Sequence, residues 1–176
     1  AIVADTIGGE LAITSTATTD NDGGSVQGNE IFAVATGKDM FFQTRIKNSD
    51  VDQSDICVGF TLNFATNPEN MLTATDRIVF QVNDGDASIL CKTEKDGTET
   101  STDSGIDMVD DTYVKLGISC SGTGTVEFFV NDKLVATHST NIPDDENLAI
   151  AAMSLSGSAS GTRVTTIDYL MGARTR

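Results

Sequence analysis

Three short stretches of this chain carry hard oxygen ligands at close spacing. They are Asp20-Asn21-Asp22-Gly23, Asp50-Val51-Asp52 with Asp55 just beyond, and Asn83-Asp84-Gly85-Asp86. Calcium takes six to eight oxygens, so Asp20, Asp22, Asp50, Asp52, Asp55, Asp84 and Asp86 are its candidate ligands. None of the three stretches completes an EF-hand loop, because no Glu stands at the twelfth position. Asp, Asn and Gly are also the ordinary residues of tight turns, with or without an ion. Zinc is poorly served by one His and scattered thiols. His138 sits in Ala-Thr-His-Ser-Thr with no Gly-x-Ser-x-Gly elbow to serve as a base, since Gly157-Ser158-Ala159-Ser160-Gly161 has Ala at the nucleophile position. As a lone strand-end His it reads as a surface residue. Two-carboxylate glycan hydrolysis needs a pair of acids flanking the bond, and Glu127 stands alone on its strand. The expectation is therefore no enzyme. Phe41 and Phe129 fall on the polar phases of their strands. They make either an exposed platform for stacking a sugar or a face covered by a loop or a partner subunit, and partner contact is the reading taken.

Composition narrows the classes further. The chain has 176 residues with 26 Asp and Glu against 11 Lys and Arg, a net charge of −15. Phosphate-backbone binding needs clustered Lys and Arg, so nucleic acid is excluded as a partner. No run of about 18 apolar residues is present to span a membrane. The opening AIVADTIGGE has neither the basic start nor the apolar stretch of a signal peptide, features a processed chain would also lack. Cys57, Cys91 and Cys120 are odd in number, form no Cys-x-x-Cys pair and sit in apolar runs, so they read as reduced core thiols. Assembly in a reducing cytoplasm accounts for them.

The elements that would carry these residues are strands. From Tyr113 to Ile142 the chain reads as a meander. Val114, Leu116, Ile118 and Cys120 alternate with polar residues, Ser121-Gly122-Thr123-Gly124 turns, and Val126, Phe128 and Val130 alternate again. Asn131-Asp132 then turns into Leu134–Thr137. Upstream, Met40, Phe42, Thr44 and Ile46 face one way, with Phe41, Gln43, Arg45 and Lys47 opposite. Ile56, Val58, Phe60, Leu62 and Phe64 make the cleanest alternation. Thr66 to Leu72 is the one helical turn expected, and 94–105 is a polar loop or edge hairpin. In 147–156 the apolar phase slips between Ala152 and Met153, which predicts a bulge. Ten or more short strands with almost no helix predict an all-β antiparallel sandwich of jelly-roll type, apolar faces inward and outer faces wet. Residues 1–18 read as an N-terminal arm or edge strand and 19–176 as the single sandwich domain.

The order TYVKLGIS, GTVEFFVNDKLVAT, NIP, NLAIAAMS, TTIDYLMGAR resembles the C-terminal half of concanavalin/laminin-G-like jelly rolls. The earlier GKDMFFQTRIKNSDVDQSDICVGF fits the same style. More narrowly the pattern, over roughly Glu30 to Arg174, resembles small virion proteins of tailed bacteriophages, including capsid decoration (cement) proteins. The Glu-x-Asp-x-x-Glu or Glu-x-Asp-x-Glu run of laminarinase-like members is absent. The resemblance implies a non-enzymatic subunit on the outside of a phage capsid, with the major capsid protein and sister subunits of a homo-oligomer such as a trimer as partners. Ile2, Val3 and Ile7 of the arm, with Phe41 and Phe129, would make those contacts. The alternative is a lectin-like, glycan-binding module of a viral fibre or a secreted bacterial protein, with calcium or sugar in the acidic loops.

Overall fold

The computed structural model describes residues 2–3, 9–16, 20–64, 67–157 and 161–175. Fourteen strands lie among them. They are β1 (Ile2–Val3), β2 (Glu10–Thr16), β3 (Gly23–Gln27), β4 (Phe32–Ala33), β5 (Asp39–Asn48), β6 (Ser54–Thr61) and β7 (Arg77–Asn83). The second half of the chain adds β8 (Asp86–Lys95), β9 (Thr98–Asp107), β10 (Val114–Ser121), β11 (Thr125–Val130), β12 (Lys133–His138), β13 (Asn147–Ser156) and β14 (Thr162–Arg174). One sheet runs β1-β2-β14-β5-β10-β11-β12. The other runs β3-β13-β6-β7-β8-β9, with β4 also paired to β13. Every pairing is antiparallel. The fold is an all-β sandwich, as the alternation predicts.

Period-two patterning decides which side chains meet between the sheets. From the first sheet come Met40, Phe42, Ile46, Leu116, Ile118, Val126, Phe128 and Val130; from the second, Ile56, Val58, Phe60, Ile78, Phe80 and Val82. All are buried in one cluster. Two ring contacts cross the gap. Phe42 meets Phe60 edge-on at 5.8 Å between centroids, and Phe80 meets Phe128 at 5.3 Å. Such pairs contribute about 0.5–1.5 kcal/mol each beyond the area they bury. The β11–β12 reversal is the two-residue turn expected, with Asn131 and Asp132 both at positive φ, 51° and 67°.

The structure departs from the sequence reading at several points. The phase slip in β13 is not a bulge, because its register with β6 runs without a break from Ala149 to Ser156. Instead the strand is buried on both sides. Leu148 and Ala152 face the main core, while Ala151, Met153 and Leu155 join Cys57, Phe64, Met71 and Val79 in a second cluster on the outer side of that sheet. That cluster is roofed by the helical turn Pro68–Met71, capped by Asn67 accepting from the Glu69 amide at 3.2 Å. The outer face of this sheet is therefore not wet there, and Phe64, lying beyond the end of β6, joins the outer cluster rather than continuing the inward row. His138 is not a surface residue either; it is buried between the sheets. In the N-terminal stretch, β2 pairs with β14 from Leu11 to Thr16 and Ile13 enters the core, so the sheet incorporates residues from Glu10 on. Ile2 and Val3 pair with Leu11 and Glu10, and Ile7 lies outside the described residues.

Candidate functional site

The second sheet has part of its outer face roofed by its own chain. The outer face of the first sheet instead presents a cleft, and β5 is its axis. Its inward residues are Met40, Phe42, Thr44 and Ile46, so Phe41, Gln43, Arg45 and Lys47 stand outward. Register supplies their neighbours. Gln43 pairs with Met171 on one side and Gly117 on the other, and Gly117 pairs with Phe129. Arg45 pairs with Tyr169 and Lys115. Phe41 pairs with Ala173 and Ser119, and Ser119 with Glu127. Each row thus crosses the sheet with one side chain per strand.

A bulge in β14 completes the arrangement. Between Ile167 and Tyr169 the register with β5 skips Asp168. The extra residue sends two consecutive side chains to the outer side. Asp168 pairs with the Arg45 Nη1 at 2.9 Å, and the Tyr169 hydroxyl donates to Gln43 Oε1 at 3.1 Å. Leu170 then returns to the core.

The rows enclose a cleft of about 380 Å³, within the range of small-molecule sites, lined chiefly by Phe41, Gln43, Lys115, Gly117, Phe129 and Met171. Phe41 and Met171 are 46% and 53% exposed, unusual for such side chains in mid-sheet. Gly117 forms its floor. Beside it lies a polar strip. The Arg45 guanidinium carbon sits 4.0 Å and the Lys47 Nζ 4.9 Å from the centre of the Tyr113 ring, both in cation–π range. The Tyr113 hydroxyl donates to Glu10. Burial, followed by that hydrogen bond and the charges of Glu10 and Asp168, pushes the phenol up to about 12, against the opposing pull of Arg45. Lys115 donates to Asp132 at 2.6 Å, which raises the ammonium above its usual value. Of the carboxylates on this face Glu10, Asp132 and Asp168 are thereby engaged. Glu127 has no cation or hydroxyl partner among the described residues.

The structure treats the sequence-based candidates unequally. Phe41 and Phe129, from different strands, come together on the cleft walls. The acidic loops lie together: the Gly85 amide donates to the Asp52 carbonyl at 2.9 Å, and the Ser156 and Gly157 amides donate to the Asp22 and Gln53 carbonyls at 2.8 Å each. Asp50 lies 3.6 Å from Arg163, and Asp86 accepts from the Ser88 amide at 3.0 Å, which lowers its carboxyl. Asp52 is exposed at a 3-10 turn, Val51–Gln53. Asp55 accepts the Asp84 amide at 3.0 Å. Burial raises its carboxyl, and the charges of Asp84, Asp20 and Glu69 add to that rise. Asp22 is half-buried beside β3. Among the described residues no three His, Cys, Asp or Glu side chains form a metal-holding group. The three cysteines are free and buried, and burial lifts each thiol to about 12. His138 accepts or donates through both ring nitrogens, to Thr93 Oγ1 and Thr102 Oγ1 at 3.0 Å each, and packs against Phe128. It ties β12 to the facing sheet. Gln43, Arg45, Lys47, Tyr113, Lys115, Tyr169 and Met171 were not singled out from the sequence as a site. The outward phase of β5 was the signal available.

No protein-family model matches the sequence, and no curated protein is detectably similar to it. Solved structures do resemble the fold. The alginate lyase AlyC3 aligns at TM-score 0.67 and 10% identity, over 95% of this chain and 75% of that one. The endo-1,3-β-glucanase of Streptomyces sioyaensis aligns at 0.66 and 10%, over 94% and 75%. A Bacteroides ovatus mixed-linkage-glucan GH16 protein, solved with a product, aligns at 0.65 and 10%, over 98% and 84%. The fold is thus a concanavalin-like jelly roll. Two expectations are corrected by these neighbours. The capsid-decoration reading rested on a pattern of strands and turns that belongs to the fold at large, and the structures sharing that fold here act on polysaccharides rather than build virions. The expectation that the chain is not an enzyme falls with it, since these structural neighbours include a lyase and a glucanase.

Proposed function

We propose that this protein binds or acts on a polysaccharide laid across the outer face of the seven-stranded sheet. The observation that carries the reading is the cleft between Phe41, Phe129 and Met171 with Gly117 as its floor. A pyranose offers an apolar C–H face and a rim of hydroxyls. Rings and a thioether at the walls suit the first, and Gln43, Ser119, Lys115 and Asp132 at the edges suit the second. The fold neighbours support it, being proteins whose names declare alginate and glucan as what they act on. The test is affinity electrophoresis through gels containing neutral and acidic polysaccharides, with release of reducing ends measured in parallel. Retardation or product release that Phe41→Ala with Phe129→Ala removes, at unchanged circular dichroism, is the expected result. Neither retardation nor release with any polysaccharide overturns it.

A further inference from the structure

We infer that the saccharide taken by this face is anionic, its acid group held at Arg45 with Lys47 and Lys115 beside it; the inference rests on the glycan reading above. The first ground is what the cations cost. Arg45 and Lys115 are directly opposite in register on β5 and β10. Like charges so placed destabilise a strand pair, and Lys47 adds a third cation two residues along the same face of β5. A chain with 26 acids and 11 bases had acids in plenty to set opposite Arg45, and Lys stands there instead.

The second ground is that this cation set is incompletely satisfied. Elsewhere Arg77 is shared by Glu94 and Glu99, Lys92 reaches Glu99, and Lys95 reaches Asp144 and Asp145. In the strip, Arg45 spends only Nη1 on Asp168. Its Nε and Nη2 have no hydrogen-bond partner among the described residues, which leaves open one edge of a fork that fits a carboxylate or sulfate with two parallel bonds. Lys47 meets no carboxylate within 4 Å among those residues and rests on the Tyr113 ring. The existing pairs are also open to competition. Arg45 and Asp168 are 43% and 33% exposed, and Asp132, the partner of Lys115, is 72% exposed. Ion pairs that open to water hold weakly, so an incoming acid displaces them readily.

The third ground is placement. The strip adjoins the cleft through Lys115, which belongs to both. A sugar ring seated over Gly117 therefore carries its acid group, or that of the next residue in the chain, toward Arg45. Glu10, Asp132 and Asp168 also face the strip, so recognition comes from the open guanidinium edge at short range and not from a broad positive field.

The experiment is affinity electrophoresis and calorimetry of the intact protein with polygalacturonate and alginate (carboxylate), dextran sulfate (sulfate), and laminarin and barley β-glucan (neutral). The variants are Arg45→Gln with Lys47→Gln, and Lys38→Gln as a bulk-charge control in the turn before β5. The expected result is binding to an acidic polymer that falls at least tenfold in the Arg45/Lys47 variant and is unmoved in the control. Retention of carboxylate polymers alone assigns a uronate; retention of both acidic classes assigns any anionic group. Binding to neutral glucans only overturns this inference and leaves the glycan reading standing. An equal loss in the Lys38 control overturns it as well. Binding to no polysaccharide takes down both.

Discussion

Replacing Gly117 by Val separates the cleft's function from its stability. Gly117 is in mid-strand with an ordinary extended backbone, outside the set of residues at positive φ. A Cβ built there would lie 3.7 Å from Phe129 Cβ and 3.8 Å from the Phe42 carbonyl oxygen, ordinary contacts that need no rearrangement. Glycine inside a strand costs roughly 0.5–1 kcal/mol relative to alanine, and a β-branched side chain suits a pleated surface better still. The variant should therefore gain about 0.5–1 kcal/mol. For a chain of this size that is an upward shift of about 1–4 °C in Tm, taking roughly 2–4 °C per kcal/mol. The same methyls stand on the floor of the cleft, between Gln43 and Phe129, where the saccharide is placed. Binding should fall at least tenfold, a loss of about 1.4 kcal/mol. Thermal denaturation followed by circular dichroism gives the first number, and calorimetric titration with the best-retained polysaccharide gives the second. A variant that is as stable as the parent or more so, yet binds undiminished, would refute the assignment of the cleft. A variant that melts several degrees lower would refute the geometry of the floor.

Two further outcomes follow from buried polar groups, one between the sheets and one under the Pro68–Met71 turn. Burial lowers the His138 pKa from its ordinary 6.5. The unfolded chain therefore takes up the proton first as pH falls, and stability is lost from about pH 6.5 downward, levelling off below the folded-state pKa. The Tm difference between pH 8 and pH 5 should be smaller in His138→Gln than in the parent, and an equal difference would show that the imidazole does not titrate between its two threonines. Arg77, 4% exposed at its side chain, holds Glu94, Glu99, Gln81 and the carbonyls of Met71 and Leu72. Arg77→Leu strands the buried Glu94, leaves Glu99 to Lys92 alone, and should cost roughly 3–5 kcal/mol, read as a lower urea midpoint; a change under 1 kcal/mol would sink that account.

The sandwich itself was legible because alternation is local. The phases of β5, β7, β10 and β11 follow from neighbours two residues apart, and the turns at Ser121–Gly124 and Asn131-Asp132 announce themselves by residue type. Of the site only Phe41 and Phe129 were legible, from the outward phases of their strands; the rest depends on pairings that no local pattern carries. Arg45, Lys115 and Tyr169 meet only once the sheet order places β14 and β10 on either side of β5, and the β14 register is further shifted by Asp168. The slip of phase in β13 was visible but ambiguous, since a bulge and a strand buried on both faces write the same pattern. Which of the two holds is decided by the Pro68–Met71 turn packing over it. The phage resemblance went astray for a related reason. Hairpins and an Ile-Pro bend are features of how the chain is threaded through this architecture, and chains with unrelated duties thread it the same way.

The bulge at Asp168 has a consequence for how such a face can change. Up to Ile167, β14 points odd-numbered residues inward; from Tyr169 on it points them outward. Removing Asp168 would restore a uniform pleat, Ile167 inward, Tyr169 outward and Leu170 inward, and leave everything downstream on the face it now occupies. Flattening the bulge with Asp168 kept in a regular pleat would instead drive Tyr169 and Met171 toward Phe32 and Ile150, where Gly172 now leaves room for no more than a hydrogen, and turn Leu170 out to water. The bulge therefore lets this strand carry one residue more than its partner without exchanging the faces of the half beyond it, so Tyr169 and Met171 keep the ligand side and Leu170 the core.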